Sequence, residues 1–359
     1  MKKALKVTLS IILAVVVIAG IYVAYAMLSY YRIADDQILD VDNPTGVSRE
    51  YVPAGQNYSL TSWNIGFAAY LQDYTFFMDG GKESRARSKE AVLDSMEHIT
   101  DVLDKENSDF YFIQEVDFDA TRSYKVDERQ IIRDRFKDES YVFAQNYDSP
   151  YLFYPFTSPH GKNKAGLVTL SKYEIRDALR RSLPIQTDVA KFLDLDRCFS
   201  LSRVVTSDRH SLVLINFHLS AYTTDTTIVF RQLNMLYKIM QEEYRRGNYV
   251  ICGGDFNMDL LGDSASVFGV SGGRNASWCQ PFPVDEMPPH IMLVAPYDRK
   301  DPYPSCRNND MPYTPGKSFT CTVDGFLVTD NVKVNDIEVL RQDFMYSDHN
   351  PVHLEFELK

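Results

Sequence analysis

NYVICGGDFNMDLL, residues 248–261, decides how the rest of the chain is read. Tyr249, Val250, Ile251 and Cys252 form a short apolar run that breaks at Gly253 and Gly254, and Asp255 and Asn257 follow at once. An apolar run closed by glycines predicts a buried strand ending in a tight turn. Paired glycines let the backbone bend sharply and let a ligand come close. An acid and a carboxamide two residues apart at a strand end can address one ligand group together. Asp and Asn are also ordinary turn residues, so the reading depends on partners elsewhere.

Those partners recur at other strand ends. LTSW runs into Asn64, FYFIQ into Glu115 and LVLINF into His218, while YSDHNPV places Asp348 and His349 just before the last strand. Turns do not demand His or Glu, so the recurrence predicts one shared polar site. The chemistry that suits these residues is phosphoester hydrolysis. Carboxylate oxygens prefer hard divalent cations, and Mg²⁺ is usually held by one or two carboxylates with water and substrate phosphate. Glu115 is the leading candidate ligand, with Asn64 contributing directly or through water. Asp255 suits a base for an attacking water, and Asn257 would hold that acid or a phosphate oxygen. His218 and His349 could donate to phosphate oxygens as charge builds, and Asp324 in TCTVDGFLV is a candidate to fix the tautomer of His349. The other histidines, His98, His160, His210, His290 and His353, carry ordinary structural readings.

Hydrophobic periodicity supplies the frame. Strands are expected at Tyr58–Asn64, Asp109–Gln114, Tyr141–Ala144, Ala165–Leu170, Thr320–Val328, Lys333–Leu340 and His353–Leu358. Cys198–Val205 and Ser211–Phe217 read as a hairpin around Ser207 and Asp208. Ser84–Lys105 and Thr226–Arg245 repeat apolar residues at helical spacing. Runs of strands interrupted by two principal helices predict an α+β layered sandwich with helices outside the sheets. Nine prolines fall within Pro281–Pro315. That long loop reads either as a lid or binding segment or as a stiffened surface excursion.

At the N-terminus, Lys2, Lys3 and Lys6 precede the uncharged run Val7–Leu28. Its 22 residues make about 33 Å of helix, enough to cross a bilayer. Basic residues before the run and Asp35, Asp36, Asp40 and Asp42 after it place the N-terminus in the cytoplasm and the rest outside. The alternative is a signal peptide cleaved near Ala26. The chain thus divides into an anchor (1–29), a linker (30–57) and one globular domain (58–359). The formal net charge of −11 argues against coating nucleic acid by bulk electrostatics, but a metal ion would supply local positive charge to an enzyme. The five cysteines lack CxxC spacing, which speaks against a zinc site. One bridge among Cys279, Cys306 and Cys321 remains open.

WNIG (63–66), QEVD (114–117), AGLVTLSKY (165–173), INFHLSAY (215–222), GGDFN (253–257), TVDGFLV (322–328) and SDHNPV (347–352) together resemble the endonuclease/exonuclease/phosphatase superfamily. The resemblance covers about Tyr58 to Leu358 in the family's order. It implies a four-layered α/β sandwich, deoxyribonuclease I-like, with a divalent-metal site at one end of two central sheets, Mg²⁺ first and Mn²⁺ or Ca²⁺ as alternatives. It further implies that Asn64 and Glu115 serve the metal, that Asp255 and Asn257 orient nucleophile and phosphate, and that Asp348 is a second metal-site or water-positioning acid. His349, backed by Asp324, would be the catalytic histidine. His218 matches deoxyribonuclease I-like and sphingomyelinase-like members. Asp117 stands where deoxyribonuclease I carries a basic residue, and the Arg-containing motif of the inositol phosphatases is missing before Asp324. Arg122 and Lys164 are alternative phosphate contacts, or else solvated surface groups. The expected function is a membrane-tethered, extracytoplasmic phosphodiesterase acting on nucleic acid or on a lipid headgroup, with no obligate protein partner. A binding module that has lost catalysis is the competing class.

Overall fold

A computed structural model describes residues 2–44, 49–186, 195–221 and 227–359. Two positions named above, Tyr222 and Thr226, lie outside the described residues.

Two seven-stranded sheets form the centre. From edge to edge the first runs Val332–Val339, Val352–Leu358, Asn57–Asn64, Phe110–Asp117, Lys164–Ser171, Ser140–Asp148 and Val41–Asp42. The second runs Gln37–Ile38, Ile175–Ser182, Cys198–Val205, Ser211–His218, Tyr249–Asp255, Asp324–Thr329 and Ile291–Val294. Most neighbours are antiparallel, but Asn57–Asn64 pairs parallel with Phe110–Asp117, and Ser211–His218 parallel with Tyr249–Asp255. In each sheet, therefore, two central strands end at the same edge. Side chains alternate across a strand with period two, and the buried clusters follow that rule. Phe110 and Phe112 face the opposing sheet, whereas Tyr111 and Ile113 face outward. Leu212 and Leu214 face inward, and Val213 and Ile215 outward.

Helix Lys89–Glu106, capped by the Ser88 side chain, covers the outer face of the first sheet through Val92, Met96, Ile99 and Leu103. Helix Thr227–Arg245 covers the second through Leu233, Leu236 and Met240. The result is the four-layered sandwich expected from the sequence. Its central strands read as near-continuous apolar runs because one face of each meets a helix and the other meets a sheet.

Several elements depart from the sequence expectation; the strand expected at Thr320–Val328, for one, is split into Thr320–Cys321, paired with Cys306–Arg307, and Asp324–Thr329 of the second sheet. Ile175–Ser182 is a strand although Arg176, Asp177, Arg180 and Arg181 break its apolar pattern. Arg180 is buried and donates to backbone carbonyls of Gln145, Ala34 and Asp196, which offsets its desolvation. Glu128–Arg135 is a short helix. Ile291–Val294 is a strand inside the proline-rich region. Finally, the expected linker is partly built into the domain: Gln37–Ile38 extends the second sheet and Val41–Asp42 the first. Two-residue edge strands carry too little pattern to be seen in sequence. Lys2–Ser29 is a single helix with no buried residue, long and apolar enough to span a bilayer.

The Gly253–Gly254 break is sterically required. Gly254 has φ +143°, and a Cβ there would lie 2.0 Å from the Phe217 carbonyl oxygen; at Gly253 it would meet the Phe326 ring at 2.3 Å. Gly254→Ala should therefore lower unfolding free energy by roughly 2–4 kcal/mol, read as a drop in the urea midpoint with unchanged m-value.

Candidate active site

Between the sheets the inward-facing positions change character along each strand. Tyr58 and Leu60 give way to Ser62 and Asn64, and Phe110 and Phe112 to Gln114. Leu212 and Leu214 give way to Asn216 and His218, and Tyr249 and Ile251 to Gly253 and Asp255. A buried polar layer forms the transition: Gln114 donates to the Ser62 hydroxyl at 3.2 Å and to the Asn216 amide oxygen at 2.8 Å, and Asn216 donates to the Val168 carbonyl at 2.8 Å. Above this layer the strand-end residues converge.

Asp255, 1% exposed, is the hub. Asn64 donates from Nδ2 to Asp255 Oδ2 at 3.0 Å and to Glu115 Oε1 at 3.2 Å, and its Oδ1 accepts the Gly66 N–H at 3.0 Å. Two acceptors on one side and a donor on the other fix the orientation of that amide. His218 Nε2 lies 3.4 Å and His349 Nε2 3.7 Å from the same Asp255 oxygen. The other Asp255 oxygen accepts the Asn257 N–H at 2.8 Å, and Asn257 Nδ2 donates to the Leu219 carbonyl. His349 Nδ1 lies 2.8 Å from Asp324 Oδ2, which also accepts from the Ser305 hydroxyl at 2.7 Å. That is the carboxylate–imidazole pairing expected from the sequence.

Backbone distortion serves these contacts. The pairing register shifts between Ile113 and Val116, and Glu115 takes φ +56°. Simple alternation would turn Glu115 outward after inward Gln114; the bulge brings it to Asn64 instead. Asn257 likewise sits at φ +50°. Left-handed backbone at non-glycine residues costs of order 1–3 kcal/mol each.

Burial separates the charges. Desolvation drives His218 well below the ordinary histidine range, with Arg197 and His349 adding to it, so that ring is neutral. Burial also works against a charged His349, yet Asp324, Cys306 and Asp255 outweigh it and hold this ring well above the usual range. Burial pushes Asp255 upward, with His349 opposing. Glu115 is raised by burial and by the Asp348 carboxylate, against the pull of Arg122.

Asp348 accepts from Asn309 Nδ2 at 2.6 Å and, like Glu115, opens on a cavity of about 620 Å³. The same cavity is lined by Arg122, His218, Asp255, Asn257 and His349. Asp324 lies behind it. Arg122 is not a solvated surface group: it is buried and lines the same cavity. It is buried in a forked pair with Asp117 at 2.8 and 3.0 Å, over the Phe67 ring, and 3.8 Å from Glu115. Asp117, which stands where deoxyribonuclease I carries a basic residue, thus holds Arg122 at the cavity wall. Lys164 stands apart, 4.0 Å from Asp119.

Sequence reasoning missed several wall residues. Arg307, Asn308 and Asn309 come from the proline-rich segment, as does Cys306, whose Sγ lies 3.5 Å from His349 Nε2. That segment therefore borders the site; its single Arg-Asn-Asn run carries no periodicity to announce it. All five cysteines are free thiols. His160 also lines the cavity, bonded through Nδ1 to the Ser84 carbonyl, and burial with Arg122 pushes it down to about 3.

The family model for the endonuclease/exonuclease/phosphatase family matches residues 61–349. The chain belongs to that family. It is accordingly a hydrolase of phosphoester bonds. No curated protein matches the chain. Solved structures share the family's fold at low identity. ANGEL2, a 2′,3′-cyclic phosphatase in complex with adenosine-2′,3′-vanadate, is 15% identical, with a TM-score of 0.55 over 89% of this chain and 98% of its own. An endonuclease/exonuclease/phosphatase protein from Beutenbergia cavernae is 16% identical, with a TM-score of 0.53 over 84% of this chain and 72% of its own. TDP2 of D. rerio, complexed with single-strand DNA product, is 14% identical, with a TM-score of 0.52 over 84% and 99%.

Enzymes of this family depend on divalent metal, and two sets of residues deserve comparison for that ion. Asp255, Asp324 and His349 bring ligand-type atoms within 4.8 Å of one another. A hydrogen bond from His349 Nδ1 to Asp324 and a 3.7 Å ion-pair contact from its Nε2 to Asp255 already account for their closeness. Glu115 and Asp348 instead offer cavity-facing carboxylates whose mutual repulsion a cation would relieve. Their oxygen donors fit a hard divalent ion.

His349 carries a pH signature. A histidine raised in the folded state contributes stability fully below its unfolded value of about 6.5, and that contribution is lost as pH rises through the raised value. In Asp324→Asn, burial is no longer outweighed and the ring becomes neutral near pH 7. Turnover at pH 7 should fall roughly 10²–10³-fold, and the basic limb of the pH–rate profile should move to lower pH.

Proposed function

We propose that this protein is a membrane-tethered, divalent-metal-dependent phosphodiesterase whose catalytic domain, residues 58–359, works outside the cytoplasm. The observation that carries the reading is the convergence of Asp255, Glu115, His218 and His349 from both sheets onto one cavity, with Asn64 bonded to Asp255 and Glu115. Glu115 and Asp348 would hold Mg²⁺, with Mn²⁺ or Ca²⁺ as substitutes. When bound, the ion supplies Lewis-acid polarisation of the phosphoryl group and stabilises the leaving oxygen.

The chain's own residues account for the rest. Asp255 takes the proton of the attacking water; its burial raises its basicity toward the working pH. Asn64 joins Asp255 to Glu115 and positions both, since its amide nitrogen and not its oxygen faces the carboxylates. Asn257 holds the Asp255 carboxylate through its backbone N–H. Neutral His218 donates one hydrogen bond to a phosphate oxygen, and charged His349, held by Asp324, stabilises the growing negative charge. Arg122, committed to Asp117, acts on substrate at a distance by adding positive potential beside Glu115.

The cavity walls favour a lipid headgroup over a nucleic acid. Phe76, Phe77, Met78 and Tyr154 line it, together with Tyr22 of the N-terminal helix. A net charge of −11 argues against holding nucleic acid by bulk electrostatics.

Three outcomes are expected. Asp255→Asn should lower hydrolysis of a generic phosphodiester at least about 10³-fold with little change in KM, measured against wild type in Mg²⁺ and in EDTA. Equal rates for the two proteins would remove Asp255 as the base. Glu115→Gln should raise the Mg²⁺ concentration for half-maximal activity by about 10–100-fold. Given plasmid DNA, RNA, sphingomyelin and phosphatidylinositol phosphates in parallel, the enzyme should prefer a lipid; preference for a nucleic acid would overturn that part.

A further inference from the structure

Among the described residues, the N-terminal helix meets the domain at the rim of the catalytic cavity. Tyr22 Oη donates to the Tyr151 carbonyl at 3.2 Å, and the Tyr25 hydroxyl accepts the Tyr151 N–H at 3.3 Å. The Tyr22 ring also meets Phe153 edge-on at 5.2 Å. Within the helix beyond residue 1, only Tyr22 and Ala26, one turn apart, are half-buried. Tyr22 forms part of the cavity wall.

From this contact an aromatic ridge continues along residues 151–156. Tyr151 packs on Phe153 at 4.7 Å, Tyr154 on Phe156 at 5.9 Å, and Tyr154 on Phe77 of the cavity wall at 5.7 Å. The ridge is open to the outside. Phe156 is 83% exposed, Tyr154 62%, Phe153 48% and nearby Met78 46%. Single exposed apolar residues need no explanation, but a contiguous ridge does.

The helix supplies both the occupant and its depth. Counting back from Tyr22, roughly 16 to 20 residues reach Lys6, Lys3 and Lys2, or about 24–30 Å at ~1.5 Å per residue, close to the thickness of a bilayer's hydrocarbon core. Lys2, Lys3 and Lys6 then lie at the inner face, where long basic side chains reach the headgroups. Tyr22 and Tyr25 fall at the outer interface, where tyrosine is favoured. Whatever is bonded to them shares that depth.

We infer that the Tyr151–Phe156 ridge seats in the outer interface of the bilayer beside the anchor helix, so that the catalytic cavity opens onto the headgroup layer with Tyr22 as part of its wall. The anchor thereby sets the orientation of the domain as well as its location. The inference rests on the reading of the helix as a span and of the site as a lipid phosphodiesterase.

The test uses the full chain in phosphatidylcholine vesicles, with Phe156→Trp as the probe. The exposure of Phe156 makes the substitution compatible with folding, and wild type supplies the background from the two native tryptophans. Phosphatidylcholine brominated near the top of its acyl chains should quench the added emission by at least about half, and iodide should not. Emission open to iodide and untouched by bromolipid, in protein that still floats with the vesicles, would overturn the inference. So would shielding from both quenchers, which points to a second protein on the ridge, or loss of the protein from the vesicles. In a second arm, the double change Phe153→Ser with Phe156→Ser should leave hydrolysis of a water-soluble phosphodiester unchanged and lower that of vesicle lipid at least about 10-fold; equal lowering of both would count against a docking role. Quenching needs no turnover. Quenching without hydrolysis of any lipid would therefore sink the lipid reading while leaving the docking intact.

Discussion

The Asp255 carboxylate sits 1% exposed at the end of a β-sandwich core, and the site is built to make that burial tolerable. An isolated buried carboxylate costs several kcal/mol, or becomes protonated. Asn64, the Asn257 N–H, His218 and His349 surround this one. Each arrives from a different strand end or turn, so the group exists only when both sheets are in register. Two parallel pairs, Asn57–Asn64 with Phe110–Asp117 and Ser211–His218 with Tyr249–Asp255, bring the strand ends to a common edge.

The same constraint explains where the backbone is distorted. Strict alternation in Phe110–Asp117 cannot direct both Gln114 and Glu115 toward the opposing sheet. A bulge and a left-handed Glu115 resolve the conflict. At Gly254 the chain must pass within van der Waals reach of the Phe217 carbonyl, which no side chain permits. These local costs are sustained by the packed core beneath, where phenylalanines, leucines and valines of the two sheets interdigitate.

Electrostatics then divides labour between two histidines of the same type. His218 has no carboxylate behind its Nδ1, and burial keeps it neutral. His349 has Asp324, and burial is outweighed. A neutral donor and a charged donor beside one acid suit a reaction in which negative charge grows on phosphate.

Strand-end placement of Asn64, Glu115, His218, Asp255 and His349 was legible in the sequence, because an apolar run bounded by a polar residue is a local signal. So were the apolar central strands, the two long helices and the apolar N-terminal run, since period and length are properties of contiguous residues. Gln37–Ile38 and Val41–Asp42 were not, being too short to show a period. Other features depend on distance in space. Arg122 was ambiguous until Asp117 was seen to hold it, and Arg307, Asn308 and Asn309 gave no sign of reaching the cavity. Asn64, expected at the metal site, turns its amide nitrogen to both the Glu115 and Asp255 carboxylates. The sequence by itself determined which residues could do the chemistry, through residue type and periodicity. Only the tertiary structure decided which of them share one cavity, because hydrogen-bond direction, burial and the approach of Tyr22 to the rim arise between segments far apart in the chain.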